Sequence, residues 1–167
     1  CWCSSNEPER LWQLKEAVRG CYDAAIEFGA PFISGKDSMF NDFQGFDEHG
    51  KPVKISVLPT LLISTLGIIS DVTNAVTEDF KNTSDVIYVL RGETSQWKKY
   101  HQATQKKLVA SAISIDTAGI EVALAKACIG GMIGANVELR MTNVELRSGI
   151  IVSVNPKNQK AFEKQMK

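Results

Sequence analysis

Apolar residues recur at Leu11, Leu14, Val18, Cys21, Ala25 and Phe28, at spacings of three and four between polar neighbours. That period predicts an amphipathic helix over 11–28. Ser4-Ser5-Asn6 offers a cap, Pro8 suits a first turn, and Gly29 supplies the stop. The short apolar run Pro31 to Ser34 predicts a buried strand that opens into the turn Gly35-Lys36-Asp37-Ser38. Polar residues with Gly45 and Gly50 make 41–52 an exposed loop or hairpin. Val53 to Val57 alternates as a strand does, and Thr60 to Ile69, rich in threonine and isoleucine, predicts a longer one.

The pattern then changes. Asp71 to Phe80 reads as a connector and Asp85 to Leu90 as a buried strand. Trp97, Tyr100, Thr104 and Leu108 fall on one side of a helix over 97–109. The alanine-rich segment Thr117 to Ile129 predicts a buried helix ending at Gly130-Gly131. Gly134 to Leu139 and Gly149 to Val154 read as strands, and Asn158 to Met166 as a closing helix after Pro156. Helices and strands mix without a repeating βαβ unit, which predicts an α+β fold with two regions, 1–79 and 80–167. Trp12 and Trp97 sit at helical spacing with other apolar residues and read as core or interface anchors.

Composition narrows the functional classes. The 167 residues are 44% hydrophobic and 23% charged, enough for a real core. Nineteen basic residues balance nineteen acidic ones, so no global field favours nucleic acid or an anionic membrane. The longest apolar stretch, Leu58 to Ile69, is broken by Pro59, Thr60, Ser64, Thr65 and Gly67 and is too short and polar to span a bilayer. With no secretory signal visible, a cytoplasmic location is expected. Cys21 and Cys128 fall on apolar helix faces as buried thiols, whereas Cys1 and Cys3 have no such explanation.

The candidate chemistry lies in Gly35 to Ser38. Gly35 lets a backbone approach closely, the Lys36 ammonium is a point charge for phosphate, the Asp37 carboxylate can hold a divalent cation, and the Ser38 hydroxyl can bond an oxyanion. The run lacks the two spaced glycines of a phosphate-binding loop, so a solvated surface turn is the competing reading. His49, in a glycine-rich polar loop, and His101, on a lysine-flanked helix face, both read as solvent-exposed. No general base is evident.

Several segments together resemble one family, phosphoribosylformylglycinamidine synthase, the glutamine-dependent ligase of purine biosynthesis. The resemblance is carried by Leu11-Trp12-Gln13-Leu14, by Gly20 to Ala25, by Phe28-Gly29-Ala30-Pro31-Phe32-Ile33-Ser34-Gly35-Lys36-Asp37-Ser38-Met39, and by Pro59 to Ser64. It continues through Gly67-Ile68-Ile69, Asp71-Val72, Ala75-Val76-Thr77 and Asp79-Phe80-Lys81. It is dense from Cys1 to about Thr94 and looser from Leu108 to Phe162. It implies an aminoimidazole ribonucleotide synthetase-like architecture of two α+β layers, with this chain an incomplete second half. The implied activity is ATP-dependent conversion of formylglycinamide ribonucleotide to its amidine with glutamine-derived ammonia, helped by magnesium. The implied partners are the first half of the synthase or a second copy, a glutaminase subunit, and a small-molecule substrate. Carried onto this sequence, Gly35 and Lys36 would meet nucleotide, Ser38 substrate, and Asp37 the metal.

The departures matter as much. Relatives have a Gly-Gly-Ser motif after the strand ending near Leu90, where this chain runs Gly92-Glu93-Thr94 directly into Gln96-Trp97. Their acidic segment before the alanine-rich helix is replaced by Ile113-Ser114-Ile115-Asp116-Thr117-Ala118-Gly119, with Ser114 in place of a metal-binding aspartate. Two expectations follow: part of a ligase that is inactive alone, or a non-catalytic, auxiliary nucleotide-binding module of such an enzyme.

Overall fold

The computed structural model describes residues 1–138 and 148–167. Among them the chain forms two compact units, Cys1–Gly67 and Ile68–Lys167. Helix and sheet are mixed in an α+β manner.

The first unit holds helix α1 (Pro8–Phe28) and a hairpin of β1 (Phe43–Phe46) and β2 (Pro52–Ile55). Pro8 begins the helix, where its missing N–H is not needed, and Gly29 ends it at φ 64°, a left-handed conformation that a side chain disfavours. The hairpin pairs Phe43 with Ile55 and Phe46 with Pro52. Its turn is fixed by the Asp47 carboxylate, which accepts from the His49 and Lys51 backbone N–H groups at 2.9 and 2.8 Å. Trp2 and Cys3 are buried. Trp2 donates its backbone N–H to Ser38 O at 2.8 Å and its indole N–H to Arg10 O at 3.1 Å.

Two expected strands do not form here. Pro31 to Ser34 and Thr60 to Ile69 are irregular and exposed. A buried strand needs a neighbouring ladder and an apolar cover; among the described residues these segments have no cover, and the backbone pairing is confined to Thr60, which exchanges two bonds of 3.0 Å with Cys1. The α1 stripe is likewise uncovered: none of its residues is buried, and Cys21 is only half-buried.

The second unit is built on an antiparallel sheet of β3 (Val86–Leu90), β4 (Ser111–Ser114) and β5 (Ile150–Val154), with β5 in the centre. Alternation along β5 separates two cores. On one face Ile113 and Ile151 pack with Ile120, Ala123 and Ala127 of α3 (Ile120–Gly131). On the other, Leu90, Val152 and Val154 pack with Ala103 of α2 (Thr94–Gln105) and Phe162 of α4 (Gln159–Met166). The Tyr88 and Phe162 rings lie 5.0 Å apart at 48°, and the Tyr88 hydroxyl donates to Glu163 at 2.7 Å.

Boundaries in this unit shift for local reasons. Helix α2 stops short of the expected Val109 because Lys107 turns to φ 55° and Leu108 N–H closes back on Ala103 O at 3.0 Å. That frees Ser111–Ser114 to become β4, a strand the sequence pattern did not reveal. Helix α3 begins after the expected Thr117 because the Asp116 carboxylate accepts from Ala118 N–H at 2.8 Å and Gly119 takes φ 90°. Its last residue, Gly131, lies against Phe80: a Cβ there would stand 2.2 Å from the Phe80 carbonyl oxygen. The strand expected at Gly134 to Leu139 is absent over 134–138, and Leu139 lies outside the described residues.

Candidate phosphate-binding loop

The loop lies in the first unit between α1 and β1. Gly29 reverses the chain at the end of α1, and its capping is completed by Ala30 N–H, which reaches Ala25 O at 3.0 Å. The return is anchored beyond the loop, where the carbonyl of Ser38 and the N–H of Asn41 bond the backbone of Trp2 at 2.8 and 3.1 Å. Residues 31–37 between these anchors are exposed.

The structure brings two of the four expected groups into contact, the Lys36 ammonium and the Ser38 hydroxyl. The Lys36 ammonium donates to the Ser38 hydroxyl at 3.2 Å and to the Asp37 carbonyl at 2.9 Å. Gly35 precedes them in irregular backbone, and a Cβ built on it would meet nothing within 4 Å. Its lack of a side chain is therefore not required by packing within the unit. The Asp37 side chain is exposed. An ammonium with its third proton unshared and an adjacent hydroxyl can bind two oxygens of one phosphate.

For a divalent cation the donor set is narrow. No group of three His, Cys, Asp or Glu residues that could hold a metal occurs among the described residues. A single carboxylate, Asp37, suits a magnesium ion that also binds nucleotide phosphates rather than one caged by protein.

Nearby ionised groups are engaged in structure. The Asp42 carboxylate, with 4% of its side chain exposed, lies 3.1 Å from Lys54 Nζ and accepts from Ser4 N–H at 3.3 Å. Burial pushes its pKa up, but the hydrogen bonds from Lys54 and Ser4 outweigh this and hold it below the ordinary carboxylate value. Lys54 also meets Glu7 at 3.1 Å, joining the start of α1 to the hairpin. Both histidines are exposed, as their sequence surroundings imply, and His49 lies 3.4 Å from Glu48.

Sequence reasoning missed a polar cluster in the second unit. The Ser111 and Ser153 hydroxyls, both buried, lie 2.7 Å apart. Ser153 donates onward to Asp85 at 3.4 Å, and the Asn82 amide meets both Asp85 oxygens at 3.2 Å. A cavity of about 560 Å³ opens beside it, walled by Phe80, Ile87, Leu124 and Ile133. The available signal was a serine inside each of two apolar runs, Ser111 beside Ala112-Ile113 and Ser153 between Val152 and Val154. The paired hydroxyls satisfy each other within the sheet.

No protein-family model matches this chain. Among the described residues no helix is long and apolar enough to cross a membrane.

Proposed function

We propose that this chain is the nucleotide-binding part of a phosphoribosylformylglycinamidine synthase-type ligase of aminoimidazole ribonucleotide synthetase-like fold. It would act in the cytoplasm with the first half of the synthase or a second copy, and with a glutaminase that supplies ammonia. The observation that carries this reading is the exposed loop in which Lys36 Nζ stands 3.2 Å from Ser38 Oγ, inside the run that most closely resembles the family.

On this reading Lys36 exchanges its bonds to the loop for nucleotide phosphate oxygens, and Gly35 leaves room for that approach. Ser38 orients the substrate through its hydroxyl. Asp37 would hold magnesium, which when bound neutralises charge on the transferring phosphoryl group. The chemistry activates the amide oxygen of formylglycinamide ribonucleotide as a phosphate ester, so that ammonia can displace phosphate.

One observation favours an auxiliary rather than a catalytic site. Asp116, the carboxylate remaining in the altered acidic segment, is committed to Ala118 N–H at 2.8 Å and to Lys126 at 3.4 Å. Ser114, beside it, offers only a hydroxyl. The chain alone should therefore bind ATP with magnesium but show no turnover with formylglycinamide ribonucleotide, ATP and ammonia. Calorimetric titration should find Lys36→Ala about tenfold weaker, a loss of about 1.4 kcal/mol, with an unchanged circular dichroism spectrum. Equal affinities would remove the role assigned to Lys36, and product formation by the chain alone would overturn the auxiliary reading.

A further inference from the structure

The two chemical groups that meet in the candidate loop are held in different ways. From residue 31 to residue 37 no backbone group bonds another backbone group among the described residues, so Lys36 stands on an arm without backbone anchors. Ser38 is anchored: its carbonyl accepts from Trp2 N–H at 2.8 Å, and the Trp2 carbonyl accepts in turn from Asn41 N–H at 3.1 Å and from the Asn41 side-chain amide at 3.4 Å. This is the bonding of a parallel ladder with one extra residue, a bulge that puts Met39 and Phe40 where a regular ladder holds a single residue. Phe40 absorbs the bulge at φ 56°, a left-handed backbone that an aromatic residue disfavours. Such a conformation persists only where the surroundings over-determine it.

We propose that Trp2 is a positioning residue for Ser38: it fixes the Ser38 hydroxyl for the ribonucleotide substrate, while Lys36 stays free to follow the phosphates of the nucleotide. The bonds that over-determine this corner centre on Trp2. Its side chain is buried, its indole N–H donates to the Arg10 carbonyl of α1 at 3.1 Å, and the Cys1 carbonyl before it accepts from Thr60 N–H at 3.0 Å. Two residues further on, Ser4 N–H donates at 3.3 Å to the Asp42 carboxylate, which also lies 3.1 Å from Lys54 of β2. Segment 1–4 is thus tied to α1, to the hairpin and to the anchored end of the loop, and the place of Ser38 is set from α1 through Trp2. A hydroxyl held in place beforehand loses little freedom when its ligand arrives, which is what a substrate-orienting group needs. The inference rests on the ligase reading above and divides its loop into a fixed substrate contact and a mobile phosphate contact.

Trp2→Phe keeps an aromatic ring in the buried position and removes only the indole bond to Arg10. In calorimetric titrations of the full chain it should bind formylglycinamide ribonucleotide about fivefold more weakly, while its affinity for ATP with magnesium changes by less than about twofold. In a Ser38→Ala background the same substitution should move the ribonucleotide affinity by less than about twofold, because the hydroxyl that Trp2 positions is gone. If Trp2→Phe loses the helical dichroism of the parent, Asn41→Ala, which removes a single side-chain bond to the Trp2 carbonyl, carries the same test. Parent-like ribonucleotide affinity, an equal loss for both ligands, or a loss that persists in the Ser38→Ala background would overturn the role of Trp2. A parent chain that binds ATP but not the ribonucleotide would also overturn it and leave the nucleotide-binding reading in place, whereas a parent that binds neither would remove both.

Discussion

The two units treat apolar residues in opposite ways. In the second, Phe162 is 1% exposed and Val152 and Ala127 are at 0%, because helices cover both faces of a three-stranded sheet. In the first, Trp12 is 61%, Ile33 82% and Leu62 87% exposed, although α1 carries a clear apolar stripe. The difference teaches that an amphipathic pattern states which face can be buried, not that something is there to bury it. The second unit has opposing layers of its own; the first has a hairpin and a short buried anchor at Trp2 and Cys3.

The comparison makes unequal demands on matched substitutions. Phe162→Ala should destabilise the second unit by about 3–5 kcal/mol, read by denaturant unfolding followed through the near-ultraviolet signal of its aromatic residues. Leu11→Ala, the same kind of truncation on α1, should change stability by less than about 0.5 kcal/mol; a comparable loss would mean that the helix face is covered. Next come two glycines. Gly131→Ala drives a Cβ into the Phe80 carbonyl and should cost about 1–3 kcal/mol, whereas Gly35→Ala meets open space and should leave the melting temperature in place. Destabilisation by Gly35→Ala alone would reverse the contrast.

The smallest effect concerns pH. Asp79 is lowered from the ordinary 3.8 to about 2, first by the Lys81 ammonium 2.6 Å from its carboxylate and next by the Thr77 hydroxyl at 2.7 Å. A carboxyl whose folded pKa is depressed contributes stability above its unfolded value, and that contribution is lost as pH falls through the folded one. The window therefore runs from about 3.8 down to about 2. The pair is exposed and screened, so the change in stability should be slight. A carbon-detected titration of the Asp79 carboxyl should give a midpoint near 2 in the parent protein and a higher one in Lys81→Ala; identical midpoints would refute the role given to Lys81.

How legible each feature was followed from where its information lies. Helix α1 was readable because its period, Pro8 and Gly29 are local signals. β3 and β5 were readable as short apolar runs between turns. β4 was not, because Ser111-Ala112-Ile113-Ser114 has few apolar residues and becomes a strand through pairing with Ser153 and Ile151 across the sheet. Pro31 to Ser34 failed in the other direction: its residues favour a strand, but among the described residues no ladder receives them. In the candidate site the residue types of Gly35 to Ser38 were visible at once. That Lys36 turns back to Ser38 while Asp37 faces solvent depends on side-chain geometry that no pattern records.

What the sequence determined by itself is the set of local commitments: where helices start and stop, which faces are apolar, and which residues could meet a phosphate. These rest on backbone geometry and side-chain chemistry within a few residues. Tertiary structure alone decided which apolar faces found cover and which serines paired across β4 and β5. Burial and ladder formation join residues far apart in the chain, and their free energy exists only when a second surface is present.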